Sequence, residues 1–289
     1  MEPMTRIERA LMAALARADA PGAPPRLAAA MRHAVFPRGA RIRPRLCLAV
    51  AGACGDDRPG VAEAAAAAIE LMHCASLVHD DLPCFDDAAT RRGRPTVHRA
   101  FGAPLAVLAG DALIVLAFET LAREAAAVPA RLPGLLMILG RSVGMPGGIA
   151  AGQAWECEAE IDLAAYHRAK TGALFAAATL AGAAAAGSEP DRWRGLGELL
   201  GEAYQVADDL HDVADDAATL GKPVGRDAAL GRPSAAAALG IDGALQRLST
   251  LAEAAMQSVP PCRGAAELRA LIRSEATRLV PKSLAARAA

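Results

Sequence analysis

Apolar positions along this chain recur at steps of three and four, the period of one helix face, and nowhere alternate at the step of two that a half-buried strand requires. The sharpest case is Leu199, Ala203, Val206, Leu210 and Val213, which predicts one buried face of a long helix. The same pattern predicts helices over 5–18, up to Val35, from Arg45, from Val61, over 104–123, 131–143 and 147–158, and again from Lys170. Proline and glycine punctuate it, first at 20–25 and later at 221–233. Ala235 onward reads as terminal helices without assignable chemistry. The expected fold class is all-α.

A chain of 289 residues could hold one large domain or two small ones. No repeat, charge block or linker interrupts the helical pattern, so a single domain over 1–289 is expected. Composition is 53% hydrophobic but only 3% aromatic, which describes an alanine-rich aliphatic core of closely packed helices. With 31 basic and 32 acidic residues the formal charge is −1, which argues against nucleic acid as a partner. The six cysteines form no C-x-x-C pair and no zinc-like spacing, and read as buried small residues in a reducing compartment. The amino terminus is charged and amphipathic, unlike a signal peptide. The uncharged run 171–188 approaches the length of a membrane span, but it is mostly alanine and glycine and reads as a core helix. No membrane span and a cytoplasmic protein are expected.

Charge changes the picture at two places. The apolar run ending near Val78 gives way to Asp80, Asp81, Asp86 and Asp87, followed by Arg91 and Arg92. Like charges so crowded disfavour one another's ionised forms, and solvent, arginines or divalent cations relieve them. Solvent alone would account for either cluster in isolation. However, Tyr204–Asp216 holds a second one, with Gln205, Asp208 and Asp212 spaced about one turn apart on one face. Asp80 and Asp86 would point about 240° apart on a regular helix. Pro83 forbids that helix, so the distorted segment could return Asp86 toward Asp80. Two such clusters across a cavity would suit Mg²⁺, which takes few carboxylates and completes its shell with phosphate and water.

These motifs, DDLPCFD with RRGRP and later DDLHD, resemble the two aspartate-rich motifs of the short-chain trans-polyprenyl diphosphate synthase family. FPRGARIRP at 36–44, AGQAWE at 151–156, KTG at 170–172 and GKPVGRD at 221–227 follow in family order. The likeness is greatest to the bacterial branch that makes geranylgeranyl diphosphate for carotenoids and photopigments, through GGIAAGQAWECEAEIDLAAYHRAKTGALF. The resemblance implies a helical bundle of the isoprenoid synthase type with a central apolar cavity, acting as a homodimer. It implies Mg²⁺ on Asp80, Asp86 and Asp208, with Asp81, Asp209 and Asp212 as further members of the metal site. It assigns the allylic diphosphate to Arg91, Lys170, Thr171, Gln205, Lys222 and Arg232, and isopentenyl diphosphate to Arg43, His73 and Arg92. Asp80, Asp86, Lys170 and Asp208 are the expected catalytic set.

Plainer readings stand beside these. Arg38, Arg41 and Arg43 could form an exposed basic turn, and His73 a satisfied core histidine. Ala40 stands where the family carries a lysine, and Arg38 is the candidate to replace its charge. Lys170 and Thr171 are expected to open a helix and to offer free N–H groups to an anion. Gln153 and Glu156 occupy the family's glutamine and acidic positions. Asp111 is expected to be a buried, hydrogen-bonded carboxylate, and His79 and His98 to be structural.

By resemblance, the expected reaction is ionisation of an allylic diphosphate, attack by isopentenyl diphosphate, and proton loss to the departing diphosphate. Ala75 and Ser76, about 6–7.5 Å down the helix from Asp80, line the family's chain-length wall. Both are small, which favours geranylgeranyl over farnesyl. The alternatives are a farnesyl diphosphate synthase and a catalytically silent partner subunit. A terpene cyclase would have no use for a second diphosphate cradle and usually needs more aromatics to steer cations.

Overall fold

One long helix organises the rest: α4, Pro59–Asp80, whose alanine-rich length is buried on nearly every face. In this computed structural model residues 2–36, 39–214, 235–281, 283 and 284 are described. Around α4 pack α3 (Ile42–Ala53), α6 (Ala103–Ala125) and α10 (Ala173–Ala185). Preceding them are α1 (Pro3–Ala18) and α2 (Pro25–Val35), and the short α5 (Val97–Phe101) leads into α6. Next come α7 (Leu132–Val143), α8 (Ile149–Ala154) and α9 (Leu163–His167). α11 (Arg194–Ala214) joins α10 to α12 (Ala235–Ser258), and α13 (Ala265–Leu279) closes the α3 side. Among the described residues the only strands are a two-residue hairpin, Thr90–Arg91 against Arg94–Pro95. The fold is all-α, as the periodicity predicts.

Proline opens α1, α2 and α4 as their first helical residue, where its missing N–H costs nothing and its fixed φ suits the helix. Every residue from Leu174 to Ala185 is buried, so the uncharged run is a core helix. By length and composition α4 and α6 could each cross a membrane. The most apolar window of α4 is 78% buried and that of α6 only 44%. The outer side of α6 exposes Val107, Leu108 and Val115, the last at 65%.

Several expectations need correction. α3 begins at Ile42 rather than near Arg45, so Arg43 stands in a first helical turn. The π-helical turn Arg168–Gly172 joins α9 to α10 without a break, with the Asp162 side chain accepting from Ala165 N at 3.0 Å. Lys170 and Thr171 therefore lie inside a helical run and do not open one. Asp111 is exposed, on the open side of α6. Val213 is 58% exposed although it follows the buried period of Leu210. Cys84 and Cys157 are exposed, while Cys47 and Cys74 are buried.

Candidate active site

α4 ends at Asp80 because Pro83 cannot continue the ladder. The chain then turns tightly, and the Asp86 N–H donates to the Asp80 carbonyl at 3.0 Å. This bond returns Asp86 to the end of α4, as the sequence suggests. Beyond it, Arg92 (φ 53°) and Gly93 (φ 73°) form the hairpin's two left-handed turn residues. The hairpin brings Arg91 back over the cluster. Arg91 Nε donates to Asp81 Oδ1 at 3.0 Å, and its Nη2 lies 3.7 Å from Asp80 Oδ2. Burial opposes the charge on Arg91, but Asp81, Asp80 and Asp86 outweigh it and hold its pKa above the ordinary value. Asp81 is itself buried and turned to Arg91, whereas Asp80 and Asp86 are half-buried.

The π-turn faces this cluster. Lys170 Nζ lies 3.2 Å from Asp80 Oδ1 and also bonds Glu156 Oε1. Tyr166 Oη donates to the same Glu156 oxygen at 2.7 Å. A Cβ on Gly152 would sit 2.4 Å from Lys170 N, so α8 approaches the Lys170 backbone only because that residue has no side chain. Desolvation disfavours the charge on Lys170, but Asp80, Tyr166 and Glu156 overcome it and raise its pKa. Glu156 and Tyr166 thus join the site. The sequence signal for Glu156 was its family position, while Tyr166 gave none.

The next residue reaches the other helix. Thr171 Oγ1 donates to Gln205 Oε1 at 2.8 Å, and Gln205 Nε2 donates to Asp209 Oδ1 at 3.0 Å. Asp208 and Asp212 are half-buried on α11 and Asp209 is buried. Adjacent residues of one π-turn therefore tie the two aspartate-bearing helices together.

Beside them lies a second basic group. Arg43 is buried, with its Cζ 4.5 Å from the Phe175 ring centroid and 5.4 Å from that of Tyr204. Its Nε is buried and has no hydrogen-bond partner among the described residues. Burial lowers the pKa of Arg43; Tyr204, Glu70 and Asp208 oppose this and Arg92 adds to it. His73 is held well below the ordinary histidine range by burial, then by Arg43, Arg92, Arg91 and Arg41. It is a neutral ring among guanidiniums. Arg41 is not part of an exposed turn: its side chain is fully buried between carboxylates.

Ala75 is 1% exposed, and the Ser76 hydroxyl is turned back to the His73 carbonyl at 2.9 Å. An apolar cavity lined by Ile42, Leu46, Phe175, Leu200, Ala203 and Tyr204 lies on the α3–α11 side, away from both. Lys222 and Arg232, with Arg38, Arg226 and Asp227, lie outside the described residues.

Among the described residues no three His, Cys, Asp or Glu side chains converge as a metal cage. The donors are hard carboxylate oxygens, and such a set fits Mg²⁺, which leaves part of its shell to phosphate and water. Asp80, Asp86, Asp208 and Asp212 are the residues that could hold it.

The sequence profile described as polyprenyl synthetase matches residues 24–265. A geranylgeranyl diphosphate synthase of Cereibacter sphaeroides is 57% identical over 98% of this chain and 98% of its own. One from Rhodobacter capsulatus is 52% identical over 95% of each. The crystal structure of a geranyltransferase from Helicobacter pylori, complexed with magnesium and isoprenyl diphosphate, superposes with a TM-score of 0.79. It is 27% identical, over 96% of this chain and 98% of that one.

Proposed function

This chain belongs to the polyprenyl synthetase family and is a trans-prenyltransferase, and from that premise we propose that it joins isopentenyl diphosphate to an allylic diphosphate and stops at geranylgeranyl diphosphate. The observation that carries the reading is the π-turn whose neighbours, Lys170 and Thr171, bond Asp80 and Gln205 on the two aspartate helices. An allylic diphosphate seated there would meet Lys170 and Arg91, whose positive charge would offset the negative charge growing on the leaving group. Asp80, Asp86, Asp208 and Asp212, with Asp81 behind them, would hold Mg²⁺. When bound, the metal supplies further positive charge to the diphosphate oxygens. Thr171 and Gln205 orient the turn.

Isopentenyl diphosphate would take the free Nε of Arg43, with Arg92 and neutral His73 beside it. The Arg43 guanidinium lies over the Phe175 and Tyr204 rings, whose faces favour its charge. Aliphatic walls from α4 and α10 keep water from the allylic cation. The departing diphosphate takes the proton lost after bond formation. Ala75, buried about 7.5 Å below Asp80, presents only a methyl group to the chain-length wall of this reading, which favours the geranylgeranyl product.

A second copy of the chain would cover the apolar outer side of α6, where Val107, Leu108 and Val115 recur at helical spacing. The active form in this reading is a cytoplasmic homodimer that supplies carotenoid and photopigment synthesis. Chromatography of the product formed from isopentenyl and farnesyl diphosphates with Mg²⁺ tests the reading. A twenty-carbon diphosphate is expected. Elongation of geranyl but not farnesyl diphosphate would make it a farnesyl diphosphate synthase, and no condensation at all a silent subunit.

A further inference from the structure

We propose that Arg41 is a positioning residue for the isopentenyl diphosphate side of the site, held by Glu8 of α1 and Glu70 of α4; this rests on the function proposed above. Its side chain has no solvent exposure, and the two glutamates are nearly as deeply buried. Arg41 Nε donates to Glu8 Oε1 at 3.0 Å, Nη1 to Glu70 Oε1 at 2.6 Å, and Nη2 to the Val35 carbonyl at 2.8 Å. The last contact satisfies a carbonyl at the end of α2 that the helix itself leaves open. One guanidinium therefore joins α1, α2 and α4.

Arg41 also has φ 51°, a left-handed conformation that a side chain with a Cβ adopts only when its surroundings impose it. What that backbone carries is the substrate cradle. Arg43 stands two residues on, in the first turn of α3. Gly39 stands two residues before, and a Cβ there would lie 2.6 Å from Arg92 Cζ, so the Arg92 guanidinium rests on that bare backbone. Glu70 is on α4 one turn before His73. The three groups expected to hold isopentenyl diphosphate therefore hang from segments that meet at Arg41. Lys170 and Gln205 do not, and Asp80, though it ends α4, stands ten residues beyond Glu70, nearly three turns further along the helix.

The triad is a poor choice for stability alone, since a buried ion pair is often no better than packed apolar side chains. Its geometric effect is specific, because the planar fork reaches three elements at once. Arg41→Ala would leave two buried carboxylates unpaired and would endanger the fold. Glu8→Gln removes one charge, keeps the shape and stands on the peripheral helix, so it is the variant of choice. Arg41→Lys is the second, keeping the charge while losing the fork.

The test is steady-state kinetics of wild type, Glu8→Gln and Arg41→Lys with isopentenyl and farnesyl diphosphates, alongside circular dichroism of each protein. The expected result is a rise of about tenfold in KM for isopentenyl diphosphate, with KM for farnesyl diphosphate within twofold of wild type and helix content unchanged. An unchanged KM for isopentenyl diphosphate in both variants overturns the inference, as does an equal rise for the two substrates. Wild-type protein that does not elongate farnesyl or geranyl diphosphate overturns the function reading, and this inference with it.

Discussion

Lys170 Nζ stands 3.2 Å from Asp80 Oδ1, although the two residues are 90 positions apart in sequence. The ammonium is shared with Glu156, so one half-buried cation sits between two carboxylates at the point where α4, α8 and the π-turn meet. It stays protonated because Asp80, Tyr166 and Glu156 overcome the effect of burial. In the function proposed above, a diphosphate arriving at Asp80 would meet that positive charge.

Replacing Lys170 with methionine should lower kcat by about 10²-fold, the usual cost of removing one preorganised charge from a developing anion. Circular dichroism should show the helices intact. A rate within threefold of wild type would remove Lys170 from the mechanism.

Gly152→Ala should act on the same atom indirectly. The added Cβ would lie 2.4 Å from Lys170 N, which is backbone and cannot swing aside. α8 or the π-turn must shift, and a misplacement of that size at a reacting centre costs up to about 10²-fold in rate. Single-turnover kinetics with an unchanged chemical step would show that the contact tolerates a methyl group.

Ala75→Phe should move the product from twenty carbons toward fifteen. Ala75 is 1% exposed, so the ring must displace packed neighbours at a cost of about 1–3 kcal/mol of stability. Product chromatography together with a melting curve separates the two effects. A folded variant that still makes the twenty-carbon product would clear Ala75 of any part in chain length.

His73 predicts a pH dependence of stability. Folded His73 resists protonation because of burial and the guanidiniums of Arg43, Arg92, Arg91 and Arg41. The unfolded chain binds that proton near pH ~6.5, so its contribution to stability is full above that pH and falls as pH drops below it. The slope is about 1.4 kcal/mol per pH unit from this one group. Urea unfolding of wild type and His73→Asn at pH 7.5 and 5.5 should differ in their pH dependence by roughly that amount. Parallel curves would mean that His73 is protonated in the folded state.

The helical pattern made the fold class and most element positions legible, because a 3.6-residue period survives in any sequence that buries one face. The return of Asp86 to Asp80 was also legible, since Pro83 excludes the alternative. Asp111 was misread because α6 is apolar on its outer side too, and periodicity cannot separate a core face from an exposed apolar one. Arg41 was misread for a different reason. Its partners Glu8 and Glu70 are 33 and 29 residues away, and no local pattern marks a turn arginine that will be buried. Glu156 and Tyr166 meet Lys170 through a close backbone approach at Gly152, which leaves no periodic trace.

The central claim is that the carboxylates of α4 and α11 serve one diphosphate. It is tested most directly by anomalous scattering from crystals grown with Mn²⁺ and an unreactive thiolo analogue of farnesyl diphosphate. The account predicts metal peaks in the space between Asp80 and Asp208, with the diphosphate in contact with both sets of metals and with Lys170. Metal at one cluster alone, or a diphosphate bound away from Lys170, would contradict it.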